Sequence, residues 1–195
     1  MQHYSLALNN LPIIDQKWTL FLDRDGVINQ DVVGDYIKRW EDFTFKEGTL
    51  KAMALLKPLF NRIIIVSNQR GVEKGLMTKE ELDRITQNMV KEIEDSGGKI
   101  DRVYYCTSLN NQDPNRKPNG GMALQAKKEF SEIELTKSIM VGNMPSDMWF
   151  GRNIGAYTVY LPTRPDENPE AHTVDATFKD LLAFAEAFAI KNVKA

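Results

Sequence analysis

Five short apolar runs punctuate the chain, and between them apolar residues recur every three or four positions. Thr19 to Leu22, Arg62 to Val66, Arg102 to Cys106, Ser138 to Val141 and Tyr157 to Tyr160 are rich in β-branched and aromatic residues and read as strands. Leu50, Met53, Ala54 and the Leu55/Leu56 pair share one face of a helix from Gly48 to Phe60. Thr78 with Glu81 makes a capping box that opens a second helix, ended near Asp95 by Gly97 and Gly98. Further helices are expected from Gly121 to Phe130, Ser146 to Asn153 and Phe178 to about Ile190. Pro162, Pro165 and Pro169 mark Leu161 to Pro169 as loop, with a short edge strand around Thr173 to Ala176. Strands alternating with helices imply an α/β fold: a three-layer, Rossmann-like arrangement with a central parallel sheet and helices on both faces.

Polar signals fall just past the strands. TLFLDRDGVIN ends the first run with Asp23 and Asp25; VSNQRGV follows the second with Ser67 and Asn68; the loop after the third ends in Arg116 and Lys117; VGNMPSD follows the fourth with Asn143 and Asp147. The carboxyl ends of parallel strands share one rim, so groups far apart in sequence converge there. Two carboxylates two residues apart, followed by Gly26, suit phosphoryl transfer: one attacks phosphorus and the other moves protons. The anionic ester repels such a nucleophile, so the site needs positive charge and hydrogen-bond donors. Lys117 supplies the charge, Ser67 and Asn68 the donors, and Mg²⁺ would bridge nucleophile and phosphate through oxygen ligands. Asp25, shuttling the proton, is expected to have a raised pKa.

Composition narrows the picture. With 195 residues, the chain fits one domain, 1–195. Its 25 basic and 27 acidic residues leave a net charge of −2, which gives no electrostatic case for nucleic acid or an anionic membrane as main partner. The stretch MQHYSLALNNLPIIDQKW lacks a signal-peptide pattern, and a cytoplasmic monomer is the expectation. Cys106 is the only cysteine; it reads as a small buried hydrophobe and excludes a multi-thiolate zinc site. His3 and His172 are assigned no catalysis, and Trp40 and Trp149 read as packing residues.

From Leu20 to Pro162 the sequence resembles the haloacid dehalogenase (HAD) superfamily, and within it the D-glycero-D-manno-heptose 1,7-bisphosphate phosphatase and histidinol-phosphatase group. FLDRDGVIN resembles that group's first motif, implying Asp23 as nucleophile and Asp25 as acid/base. VSNQRGVEKG is similar to the second, implying Ser67 on the phosphate and Asn68 near the substrate. RKPNGGM is similar to the segment with the third motif, implying Lys117 on the phosphate and Arg116 on the substrate. VGNMPSDMWFGRNIGA is similar to the metal motif, and the implied Mg²⁺ ligand set is Asp23, Asp25, Asn143 and Asp147. Two departures stand out. Asn143 occupies a position usually held by Asp, which predicts weaker metal binding, offset by Asp147. The loop CTSLNNQDPNRKP lacks the group's Cys/His zinc ligands, so zinc is not expected.

The motif spacing leaves no room for a large cap domain, so an open site is expected, shaped by Gln30 to Lys46, Gln69 to Met77 and Thr107 to Gly120. Arg70, Arg116 and Arg164 are candidates for a second anionic group. Taken singly, each of these residues has a blander reading: a surface DxD, a solvated lysine, a turn-forming Ser-Asn pair, exposed arginines. Their convergence on one rim favours a Mg²⁺-dependent phosphomonoesterase working through an aspartyl-phosphate on a small phosphorylated metabolite. The heptose 1,7-bisphosphate, losing its 7-phosphate, leads; histidinol phosphate is the alternative within the class, and a catalytically weakened phospho-ligand binding module the alternative outside it. A phospho-accepting signalling receiver is disfavoured, because Asp25 would hydrolyse the phosphoryl group it needs to keep.

Overall fold

The computed structural model describes residues 11–32, 34–164 and 166–193; the leader reading over residues 1–10, His3 and the loop position Pro165 lie outside them. Six parallel strands, β1 (Thr19–Leu22), β2 (Arg62–Asn68), β3 (Arg102–Cys106), β4 (Ser138–Gly142), β5 (Tyr157–Tyr160) and β6 (Ala176–Thr177), form one sheet ordered β3-β2-β1-β4-β5-β6. Among the described residues, four α-helices connect strands, α1 (Thr49–Leu56), α2 (Lys79–Asp95), α3 (Gly121–Glu129) and α4 (Pro145–Ile154), and a fifth, α5 (Leu181–Val193), follows β6. The α/β architecture is the one the hydrophobic pattern predicts.

Residue alternation along the buried strands separates two cores. Leu20, Leu22, Ile63 and Ile65 face α1, α2 and α5, where Met53, Leu56, Ile85, Met89, Phe184 and Phe188 are buried. Phe21, Ile64 and Val66 face the other way, against Met122, Ala126 and Phe150 of α3 and α4. Because both faces of the central strands are covered, the carboxyl-end rim is left for chemistry.

Element ends depart from the sequence expectations for local reasons. Helix α1 stops at Leu56 rather than Phe60, since Pro58 has no N–H to continue it. The edge strand expected around Thr173 to Ala176 is present as β6, shifted to Ala176–Thr177, because a 3₁₀ turn, Ala171–Thr173, takes up the start of the range. Thr173 Oγ1 donates to the Glu170 carbonyl at 2.7 Å and holds that turn. Helix α5 begins at Leu181, not Phe178, because the Asp180 carboxylate accepts from the Ala183 N–H at 2.7 Å and caps it, while Phe178 N–H still pairs with the Tyr160 carbonyl. Thr78 caps α2 as expected, accepting from the Glu81 N–H at 3.1 Å. Trp40 stacks on Phe43, with ring centroids 4.9 Å apart, in keeping with a packing role.

Candidate active site

The strand order reverses between β1 and β4, and Leu22 pairs in register with Val141. Both strands therefore deliver their next residues to the crevice at the switch point, where open α/β sheets bind ligands. Asp23 follows β1, its N–H on the Val141 carbonyl at 3.0 Å, and Asn143 follows β4. A cavity of about 230 Å³ opens there, lined among others by Asp23, Asp25, Ser67, Arg116, Lys117 and Asn143.

The turn after β1 is built for close approach. Arg24 carbonyl accepts from the N–H groups of Val27, Ile28 and Asn29, and Gly26 turns with φ of +81°. A Cβ at Gly26 would stand 2.1 Å from Asn143 Nδ2, so only glycine admits the Asn143 side chain.

Lys117, 3% exposed, sets the electrostatics. Its Nζ lies 2.8 Å from Asp23 Oδ1 and 2.7 Å from Asp147 Oδ1. Burial works against the ammonium, but the Asp147 and Asp23 carboxylates outweigh it and raise the Lys117 pKa. One cation between two carboxylates leaves an excess negative charge. Burial, helped by Asp147 and Asp25 and opposed by Lys117, accordingly pushes Asp23 up to about 7.

Asn68 fixes Lys117 from behind. Its amide donates to the Lys117 carbonyl and accepts from the Lys117 N–H, both at 3.1 Å. Expected near the substrate, Asn68 instead spends its side chain clamping this backbone, although it still lines the cavity.

Asp25 departs further from expectation. Arg24 grips both of its oxygens from Nη2 at 3.0 Å, Asn29 Nδ2 donates to Oδ1 at 2.9 Å, and Gln69 Nε2 donates to Oδ2 at 2.7 Å. Burial alone would raise its pKa, but Arg24 and the two amides outweigh it, and the pKa is lowered rather than raised. Both of its side-chain oxygens are thus engaged by protein donors. Asp147 is similarly engaged: beyond Lys117 on Oδ1, its Oδ2 accepts from the N–H groups of Asn143 and Met144 at 3.0 Å. Two of the four expected metal ligands thus already carry protein donors on both of their oxygens.

Asn143 and Asp23 remain. Asn143 Nδ2 donates to Thr163 Oγ1 at 2.7 Å, whereas its Oδ1 is buried with no hydrogen-bond partner. An orphaned acceptor beside excess negative charge fits a divalent cation with oxygen ligands, and Mg²⁺ keeps several waters, so a short protein ligand list suffices. Among the described residues no group of three His, Cys, Asp or Glu side chains is arranged to hold a metal.

Of the arginines, Arg116 lines the cavity with one buried Nη lacking a hydrogen-bond partner. Burial and the neighbouring Arg70 lower its pKa. Arg70 itself does not line the cavity; its Nη2 holds the Leu109 carbonyl at 3.2 Å and the Asn111 side chain, pinning the loop after β3. Arg164 lines the cavity while bonded to Asp31 at 2.5 Å. Sequence reasoning missed Arg24, Gln69, Asp31 and Thr163. The signal for two of them was present: an arginine inside LDRDG, and Gln69 beside the Ser67–Asn68 pair in a motif already singled out. Ser67 Oγ accepts from the same Gln69 amide at 3.0 Å.

A buried carboxylate at the switch point, charge-paired with a lysine and flanked by a second, hydrogen-bonded carboxylate, defines a phosphoryl-transfer site on a HAD-type fold. A model of the family described as Polynucleotide kinase 3 phosphatase matches residues 20–191. The chain is 33% identical over 173 residues to the D-glycero-alpha-D-manno-heptose-1,7-bisphosphate 7-phosphatase of Mycobacterium tuberculosis, covering 88% of this chain and 91% of the relative. It is 34% identical over 173 residues to the D-glycero-beta-D-manno-heptose-1,7-bisphosphate 7-phosphatase of Helicobacter pylori, covering 87% and 98%. A solved D,D-heptose 1.7-bisphosphate phosphatase from B. bronchiseptica, complexed with magnesium and phosphate, superposes with a TM-score of 0.76 at 25% identity, covering 86% of this chain and 96% of that one. The chain belongs to this family of HAD-superfamily phosphatases. No helix among the described residues is long and apolar enough to cross a membrane.

Proposed function

We propose that this phosphatase removes the 7-phosphate of a D-glycero-D-manno-heptose 1,7-bisphosphate through an aspartyl-phosphate on Asp23. The observation that carries the chemistry is the Asp23–Lys117 pair, 2.8 Å apart on the wall of the switch-point cavity. Support for the sugar comes from relatives bearing that substrate in their names, under both anomeric designations.

Asp23 attacks phosphorus with one carboxylate oxygen, while Lys117 and the Ser67 hydroxyl hold phosphoryl oxygens. Asp23 and Asn143 would hold a Mg²⁺ ion, which when bound would neutralise charge on nucleophile and ester; the magnesium- and phosphate-bound neighbour supports this reading. The bond from phosphorus to the sugar oxygen breaks, and Asp25 gives its proton to that oxygen. Asp25 rests ionised under Arg24, Asn29 and Gln69; the negative charge of an incoming phosphate raises its pKa, and it takes up from solvent water the proton it then donates. Once the sugar leaves, the Asp25 carboxylate takes a proton from the water that cleaves the aspartyl-phosphate. Arg116 is the cation suited to the distal phosphate, since a buried Nη of its guanidinium awaits an acceptor.

Phosphate release from the heptose bisphosphate anomers and from histidinol phosphate, measured side by side, tests the substrate. Faster turnover of a heptose bisphosphate is expected. Faster turnover of histidinol phosphate would replace the sugar assignment and leave the Asp23 chemistry standing.

A further inference from the structure

We propose that Thr163 is a positioning residue that makes an amide usable as a metal ligand in this chain. An asparagine ligand differs from an aspartate in a specific way: only one of its two terminal atoms can face a cation, and the other is a donor that must be satisfied. In a buried site both requirements are severe. Asn143 is 1% exposed, and its amide cannot solve either by turning to water.

The structure solves both with one contact. Thr163, on the loop after β5, accepts from Asn143 Nδ2 at 2.7 Å. The nitrogen packs over Gly26, where no Cβ intervenes, and Oδ1 is left buried and without a hydrogen-bond partner in a side chain that lines the cavity. Removing the Thr163 hydroxyl leaves the amide nitrogen without this acceptor in the metal-competent orientation. The amide then gains by rotating, which turns its N–H groups toward the cation and discards the ligand. A carboxylate at position 143 has no such failure, because either of its oxygens can face the metal.

The inference rests on Asn143 being a ligand, and the experiment separates the two ideas. Mg²⁺ affinity is measured by calorimetric titration of the native chain, Thr163→Val, Thr163→Ser, Asn143→Asp and the Asn143→Asp/Thr163→Val double variant. Thr163→Val should weaken Mg²⁺ binding about fivefold, the scale of one lost net hydrogen bond, and Thr163→Ser should restore it. In the Asn143→Asp background the same valine should change affinity by less than about twofold. Equal weakening in both backgrounds, or none in the native one, would overturn the positioning role. Asn143→Asp binding Mg²⁺ no more tightly than the native chain would overturn the ligand assignment beneath it.

Discussion

One ammonium, that of Lys117, serves two buried carboxylates, and the imbalance governs what the site does next. Asp23 and Asp147 compete for the same charge at 2.8 and 2.7 Å, so Asp23 carries a pKa raised to about 7. The folded site therefore binds a proton on Asp23 that the unfolded chain gives up near its ordinary pKa of 3.8, and stability without metal falls as pH rises from there toward 7. A cation reverses the trend by competing with that proton. Between pH 8 and pH 6, Mg²⁺ affinity measured by calorimetry should fall about tenfold, following the ionised fraction of Asp23. A pH-independent affinity would remove Asp23 from the metal. Asp23→Asn should abolish phosphate release while leaving the melting temperature at or above that of the native protein, since it takes away the proposed nucleophile, whose charge is costly to bury. Retained turnover would place the chemistry elsewhere.

At the level of elements, the turn between β1 and the loop that follows it holds Asp25, the proposed acid/base, in place. Arg24 is fully buried, pairs with Asp25 and lies with its guanidinium carbon 5.8 Å from the Tyr105 ring centroid on β3, tying two strands to one carboxylate. Arg24→Met should destabilise the fold by about 3 kcal/mol at pH 7, the cost of leaving a buried charge without its partner. The sign with pH follows from Asp25. Its pKa is lowered in the folded protein, so the stability it contributes is present above its ordinary pKa of 3.8 and lost as pH falls below it. The difference between Arg24→Met and the native chain in denaturant melts should therefore shrink in acid. A constant difference would mean that Arg24 stabilises by packing alone.

Across the whole molecule, the sheet was legible because each buried strand is a short run of β-branched residues with helical periodicity on either side. Helix ends were less so, since Asp180 and Pro58 set them through single contacts that a periodic pattern does not carry. Among the site residues, those with chemistry in their side chains announced themselves: Asp23, Asp25, Ser67 and Lys117 all line one cavity. What the chain hides is division of labour. Asn68, Asp147 and Arg70 are polar residues in the right segments, yet each is bound to protein groups, and only three-dimensional pairing reveals it. Arg24 and Gln69, which depress the Asp25 pKa, stood inside motifs already read, but a single arginine or glutamine there does not say which carboxylate it will grip.

The central claim is that Asp23 takes the phosphoryl group. A crystal structure of the protein with Mg²⁺ and beryllium trifluoride tests it most directly. The trifluoroberyllate is expected to be bonded to a carboxylate oxygen of Asp23, with the Lys117 ammonium within hydrogen-bonding reach of its fluorines. A bare Asp23, with the beryllium group bound to another side chain, would contradict the account.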